Sequence, residues 1–220
     1  MAFTERFWEH LTPVYEAITA HPFLQGLTSG DLPEAAFRYY VVQDALYLRD
    51  FARGLALLGS QAPDDDALMT LCDHAKNAIV VERALHAGFL SQWELTMDAV
   101  LATEKAPTCQ AYTAFLLETA ERRSWFEGLC AHLPCYWIYL QVGQALVTRG
   151  SPHPLYQQWI DSYAGDEFRQ VVEEMLALVE AAADGKSDAD HAAGLALGRE
   201  AARYEFLFWD MGYTQQAWPV

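Results

Sequence analysis

The 220-residue chain is 52% hydrophobic and 13% aromatic, enough apolar material for one domain with a substantial core. Its formal charge of −16 at pH 7 argues against nucleic acid and anionic membranes as partners, because their negative charge would repel it. It fits better with a small neutral or cationic ligand.

No run of about eighteen uncharged apolar residues is present to span a bilayer, and Met1 to Arg6 lacks the basic and apolar regions of a signal peptide. Cys72, Cys109, Cys130 and Cys135 are irregularly spaced, with no Cys-x-x-Cys pair, and read as reduced thiols rather than a disulfide framework or a zinc site. The expectation is a cytoplasmic protein.

Phe3, Phe7, Leu11, Val14 and Ile18 recur at helical steps, so residues 3 to 19 predict an amphipathic helix bent at Pro13 and closed by His21-Pro22. A short helix over Phe23 to Leu27 leads into Thr28-Ser29-Gly30-Asp31, where Asp31 is expected to cap a helix running from Pro33 to Leu58. Pro63-Asp64-Asp65-Asp66 places negative charge at the start of a long helix reaching about Trp93. Pro107 opens another, which breaks near Ser124 before a segment from Phe126 to Ala131.

Pro134 is expected to start a fresh helix that ends at Arg149-Gly150-Ser151-Pro152. Three more helices follow, from Pro154 to Tyr163, Phe168 to Ala183 and Asp188 to Met211. No stretch alternates like a strand, and no solenoid repeat or low-complexity linker divides the chain. The pattern predicts an all-α bundle in a single domain.

Three of these helices carry a reactive residue with an aromatic one turn away. Asp44 has Tyr47 at i+3, Cys135 has Tyr139 at i+4, and Glu205 has Phe208 at i+3 and Trp209 at i+4. If Pro134 starts a helix, Cys135 lies in a first turn, where the positive end of the helix favours the reactive thiolate. A free cysteine in an apolar helix is otherwise simply packing. Asp44 stands in a segment so apolar that its carboxylate must be paired, hydrogen-bonded or awaiting a ligand; a salt bridge to Arg49 or Arg83 is the plain alternative. Glu205, among aromatics, should have its charged form disfavoured and its pKa raised into the range of a general acid or base.

Together, a thiol, a carboxylic acid and an anchoring carboxylate in an aromatic pocket are suited to holding a flat heteroaromatic ring, attacking it with sulfur and moving its protons. A metal centre has less support. Glu82 and His86 at i+4 offer two ligands, and His191 has no partner at helical spacing except Asp188 and Asp190. Neither a phosphate-binding glycine loop nor a Gly-x-Ser-x-Gly elbow occurs.

The chain resembles the thiaminase II (TenA) family along essentially its whole length. The matching residues, in order, are Phe7-Trp8, His21-Pro22-Phe23, Tyr39-x-x-x-Gln43-Asp44-x-x-Tyr47-Leu48, Pro107-Thr108-x-x-x-Tyr112-Thr113, Cys135-x-x-x-Tyr139 and Tyr204-Glu205-x-x-Phe208-Trp209. The resemblance implies a haem-oxygenase-like helical bundle, a homotetramer, and no metal or cofactor. It also implies hydrolysis of 4-amino-5-aminomethyl-2-methylpyrimidine to the hydroxymethylpyrimidine and ammonia in thiamin salvage, with cleavage of thiamin as a further activity.

Carried over by position, Cys135 would be the nucleophile and Glu205 the proton exchanger, while Asp44 would hold the amidine edge of the ring. Tyr112, Tyr139 and Tyr163 would supply hydroxyls near the amine, the thiol and the incoming water, and Tyr47 and Phe208 would sandwich the ring. Cys135 places the chain in the cysteine-containing branch. A second reading is a non-catalytic regulatory protein that binds a pyrimidine or thiamin on the same fold.

Overall fold

The structure, a computed structural model, describes residues 1–80, 88 and 92–220 with their side chains. In chain order its helices are α1 (Phe3–Thr19), α2 (Pro22–Ser29), α3 (Glu34–Ser60), α4 (Asp65–Gln92), α5 (Met97–Leu101), α6 (Pro107–Arg122), α7 (Trp125–Val147), α8 (Pro154–Ala164), α9 (Asp166–Ala183) and α10 (Asp188–Thr214). Among the described residues there is no strand, and no helix is long and apolar enough to cross a membrane.

Local chemistry accounts for most boundaries. In α1, Phe3, Phe7, Leu11 and Ile18 face the core, while Pro13 sits on the exposed side. His21 caps α2 by accepting the Phe23 N–H at 3.1 Å on Nδ1, and Gly30, at φ 82°, closes that helix in the left-handed conformation glycine adopts without strain. Asp64 accepts the Ala67 N–H at 2.8 Å to start α4, whose first turn carries Asp65 and Asp66. Reciprocal Ser124–Glu127 and Ser187–Asp190 capping boxes start α7 and α10.

Three boundaries differ from the sequence reading. Pro33, not Asp31, precedes α3; Asp31 lies two residues further out, with an exposed side chain and its own N–H donated to Ser29 Oγ. The five residues of α5 are too few to carry a periodic pattern, although Thr96 caps them at Ala99 in the ordinary way.

The largest difference is at Pro134, which starts no helix. It lies inside the 23-residue α7, and Cys135 therefore stands in the middle of a helix rather than in a first turn. A proline there costs about 3 kcal/mol. Burial outweighs it: Leu129, Cys130, Ala131, His132, Leu133 and Ile138 are all fully enclosed, and each large apolar side chain contributes about 2 kcal/mol.

α7 is the axis of the bundle, packed against α6, α8, α9 and α10, and α3 lies against α4, α6 and α10. Small residues permit the closest approaches. A Cβ on Gly198 would overlap the Phe7 ring, and one on Gly143 would meet the Tyr163 carbonyl carbon at 2.6 Å, so α8 reaches α7 only because Gly143 has no side chain. Residues after α10 strap the start of α6 to α3. Gln216 Oε1 accepts the Thr108 N–H at 2.9 Å, the Tyr39 hydroxyl donates to the Gln216 carbonyl, and the Trp218 indole donates to the Lys105 carbonyl at 2.9 Å. The strap fixes the two helices that carry Tyr112 and Asp44.

Candidate functional site

A cavity of about 180 Å³ opens between α3, α4, α7, α8 and α9. Asp44, Tyr47, Cys135, Tyr139 and Tyr163 line it, as do Phe51, His74, Tyr136 and Phe168. Most of this wall is aromatic, which suits a flat ring. A wider depression of about 530 Å³, lined by Glu34, Arg38, Tyr39, Val42 and Trp93 among others, holds no nucleophile. The smaller cavity is the candidate site.

Behind its lining, Tyr112, Glu205 and Phe208 form a buried floor. The Tyr112 hydroxyl donates to Glu205 Oε1 at 2.5 Å. Tyr47 packs on Tyr112 with ring centroids 5.0 Å apart and meets Phe208 edge to face at 5.4 Å. These two rings are therefore in mutual contact, without the parallel gap that the expected sandwich requires. Tyr139 stacks on Trp209 at 4.9 Å, lies 4.8 Å from Tyr163 and shares a 3.0 Å hydrogen bond with Tyr40. Five helices thus bring all eight sequence-named residues together, five on the wall and three beneath it.

Electrostatics set the protonation states. Burial, helped by the Asp44 charge, lifts the Glu205 carboxyl to about 8 against the opposing hydrogen bond from Tyr112, so the group is a neutral acid at pH 7. Burial and the neighbouring Glu205 also push the Cys135 thiol well above its ordinary range, with Asp44 adding to the effect. The expected thiolate is thus reversed: mid-helix, Cys135 gains nothing from a helix terminus, and carboxyl groups face it. The Tyr47 hydroxyl, close enough to influence Cys135, has no hydrogen-bond partner of good geometry among the described residues. Burial keeps it protonated.

Asp44 is buried on α3, at the cavity edge. Its proposed partner Arg83, and the Glu82–His86 pair considered for a metal, lie outside the residues whose side chains are described. His191 instead bonds the Ala183 carbonyl at 3.0 Å, and no cluster of three metal-ligating residues occurs among the described ones.

Sequence reasoning missed one wall of the cavity. His74 on α4 and Tyr136 on α7 line it, and Glu174 on α9 bonds His74 from behind. Tyr136 is next to Cys135 in the chain and was open to notice; His74 and Glu174 are 100 residues apart, with no local pattern joining them.

These features define a helical bundle built around an enclosed small-molecule cavity with a thiol on its wall and a neutral acid at its floor. A sequence model of the TENA/THI-4/PQQC family matches residues 8–215, and the chain belongs to that family. It is 34% identical over 218 residues to the aminopyrimidine aminohydrolase of Bacillus subtilis strain 168, covering 99% of this chain and 92% of that protein. A solved TenA homologue from P. horikoshii OT3 superposes with a TM-score of 0.90 at 26% identity, covering 97% and 99% of the two chains. A domain from Shewanella denitrificans OS217, described as having a heme oxygenase-like fold, superposes at 0.75 with 14% identity over 96% of this chain and 92% of that one. The fold expected from the sequence is the fold found.

Proposed function

We propose that this protein is an aminopyrimidine aminohydrolase, a hydrolase that converts 4-amino-5-aminomethyl-2-methylpyrimidine and water to the 5-hydroxymethyl compound and ammonia. One observation carries the reading: a buried acid, neutral at pH 7, is near enough to raise the pKa of a thiol on the wall of an aromatic cavity that Asp44 also lines. The similarity to relatives of that name supports it.

In the proposed mechanism Asp44 pairs with the amidine edge of the ring, a planar donor pattern that a carboxylate matches. Tyr47 gives the ring a face, and Phe208 braces Tyr47 edge to face instead of forming the opposite slice of a sandwich. Glu205, aligned by Tyr112, passes its proton to a ring nitrogen, and Cys135 sulfur then bonds to the activated ring carbon. The thiol proton returns to Glu205.

Electron density pushed back from the ring expels the exocyclic amine as ammonia. Water then adds at the methylene, near the Tyr139 and Tyr163 hydroxyls; its proton passes to the sulfur as that departs, and the ring nitrogen gives its own proton to the released ammonia. The balance is one C–N bond exchanged for one C–O bond, with the thiol restored. A high thiol pKa suits this sequence, because the sulfur becomes a nucleophile only when the ring has been protonated beside it.

Cleavage of thiamin by the same steps, with the thiazole alcohol as leaving group, belongs to this reading. So do the homotetramer, which light scattering checks, and a cytoplasmic setting.

The deciding assay is ammonia release from the aminomethylpyrimidine by wild type and by Cys135→Ser. The expected result is turnover in the wild type and a loss of at least about a hundredfold in the variant, with ligand binding kept. Near-normal turnover in the variant removes the covalent route. No turnover in the wild type, with the pyrimidine still bound, favours a non-catalytic binding protein.

A further inference from the structure

The cavity wall formed by α4, α7 and α9 carries a hydrogen-bonded chain that the steps above do not use. His74 is buried and both of its ring nitrogens are engaged: Nε2 lies 3.0 Å from Glu174 Oε2, and Nδ1 lies 3.3 Å from the Tyr136 hydroxyl. Gln170 donates to the other Glu174 oxygen at 2.9 Å. Hydrogen bonds from His74 and Gln170 hold the Glu174 carboxyl below its ordinary range, so it is ionised and can only accept.

The directions of the whole chain follow from that end. Glu174 can only accept, so His74 Nε2 carries a hydrogen and donates it. With Nε2 as the donor to Glu174, the single-hydrogen form of the ring presents Nδ1 as an acceptor, and in that form the Tyr136 O–H donates to it. Tyr136 is held in place by Phe51 at 5.4 Å and by the His74 ring at 5.6 Å, and burial keeps its hydroxyl protonated. With its hydrogen committed to His74, the phenol oxygen has only lone pairs to offer a ligand. It is an acceptor set in a largely apolar wall, beside Cys135 in the chain.

We propose that Tyr136 is a specificity-determining residue of this cavity: its oxygen, fixed as an acceptor by His74 and Glu174, binds an N–H of an aminomethyl substituent on the bound ring. His74 acts through Tyr136 and is a positioning residue. The inference rests on the aminopyrimidine reading and deepens it. An aminomethyl group, cationic at neutral pH, donates a charge-assisted hydrogen bond, whereas the thiazolium nitrogen of thiamin carries no hydrogen to give. The chain thus tilts the site toward the amine.

The test uses full-length protein in the Cys135→Ser background, so that ligand is not consumed. Calorimetry measures binding of 4-amino-5-aminomethyl-2-methylpyrimidine and of 4-amino-2,5-dimethylpyrimidine, which keeps the ring and lacks the amine. Tyr136→Phe keeps the ring packing and removes the oxygen. The expected result is an amine affinity that falls about tenfold more than that of the dimethyl compound, the scale of one charge-assisted hydrogen bond. His74→Asn, which frees the Tyr136 hydroxyl to turn, should lose a smaller part of the same preference.

An equal loss for both ligands makes Tyr136 packing alone and overturns the proposal, as does no loss for either. Ammonia release by the wild type is measured alongside. Turnover without a Tyr136-dependent preference sinks this inference and spares the aminohydrolase reading; the preference without turnover does the reverse.

Discussion

Glu205 and Glu174 are the same side chain in two regions of one site, each hydrogen-bonded to a ring-bearing residue, and their charge states are driven in opposite directions. Glu205 is 1% exposed, and its burial defeats the Tyr112 hydrogen bond, leaving a neutral acid near 8. The Glu174 side chain is 42% exposed, so little is lost by desolvation, and the bonds from His74 and Gln170 make it a stronger acid. A hydrogen bond to a carboxyl therefore does not fix its charge. Access to water decides which influence wins, and the result is a neutral carboxyl at the floor and an ionised one behind the wall.

The comparison breaks most sharply at the floor. E205Q should lower kcat by about a hundredfold while KM moves within about threefold, since the lost function is proton transfer. In the wild type kcat should fall above pH 8 as the acid ionises, a limb that steady-state profiles should show missing from E205Q. Stability carries the same signature. The folded pKa of about 8 lies above the unfolded value of 4.5, so the folded state binds a proton the unfolded chain releases. Stability should fall as pH rises from 4.5 to 8 and level off beyond. Melting temperatures taken across that window should drop less in E205Q than in the wild type.

A smaller effect is expected from the joint that carries Tyr163 to the cavity. In G143A the new methyl would meet the Tyr163 backbone at 2.6 Å, and such overpacking costs about 2 kcal/mol. That corresponds to a fall in melting temperature of about 6 °C. Weaker pyrimidine binding should accompany it, because α8 must move away.

The smallest effect belongs to the wall. E174Q should cost less than about 1 kcal/mol at pH 7, because the His74–Glu174 contact is open to solvent on the glutamate side. The sign is opposite to that of Glu205: a depressed folded pKa stabilises above the ordinary carboxylate range. The gap between E174Q and wild type, read by denaturant titration, should close as pH falls below that range.

Much of this site was legible in the sequence because its residues obey short-range rules. Asp44, Cys135 and Glu205 stood out as reactive groups in apolar helical segments, and Glu205 was expected to hold its proton for the reason found, burial among aromatics. Cys135 shows where such rules stop. The preference of proline for a first turn is real, but at Pro134 it is overruled by the burial of most of α7, a property of the assembled bundle. The thiolate expected there disappeared with the helix start. The edge-to-face contact of Tyr47 with Phe208 and the chain from Tyr136 to Glu174 join residues on different helices, and no spacing within one helix encodes them.

The protonated state of Cys135, a half-buried thiol on the cavity wall, also bears on how the protein survives chemically. Peroxides and alkylating reagents attack thiolate, and a thiol held well above its ordinary pKa offers them almost none. Cys109 and Cys130 are buried with thiols shifted the same way, whereas Cys72 lies exposed on α4. Electrophiles and oxidants in solution therefore reach Cys72 on the surface more readily than the protonated sulfur at the cavity.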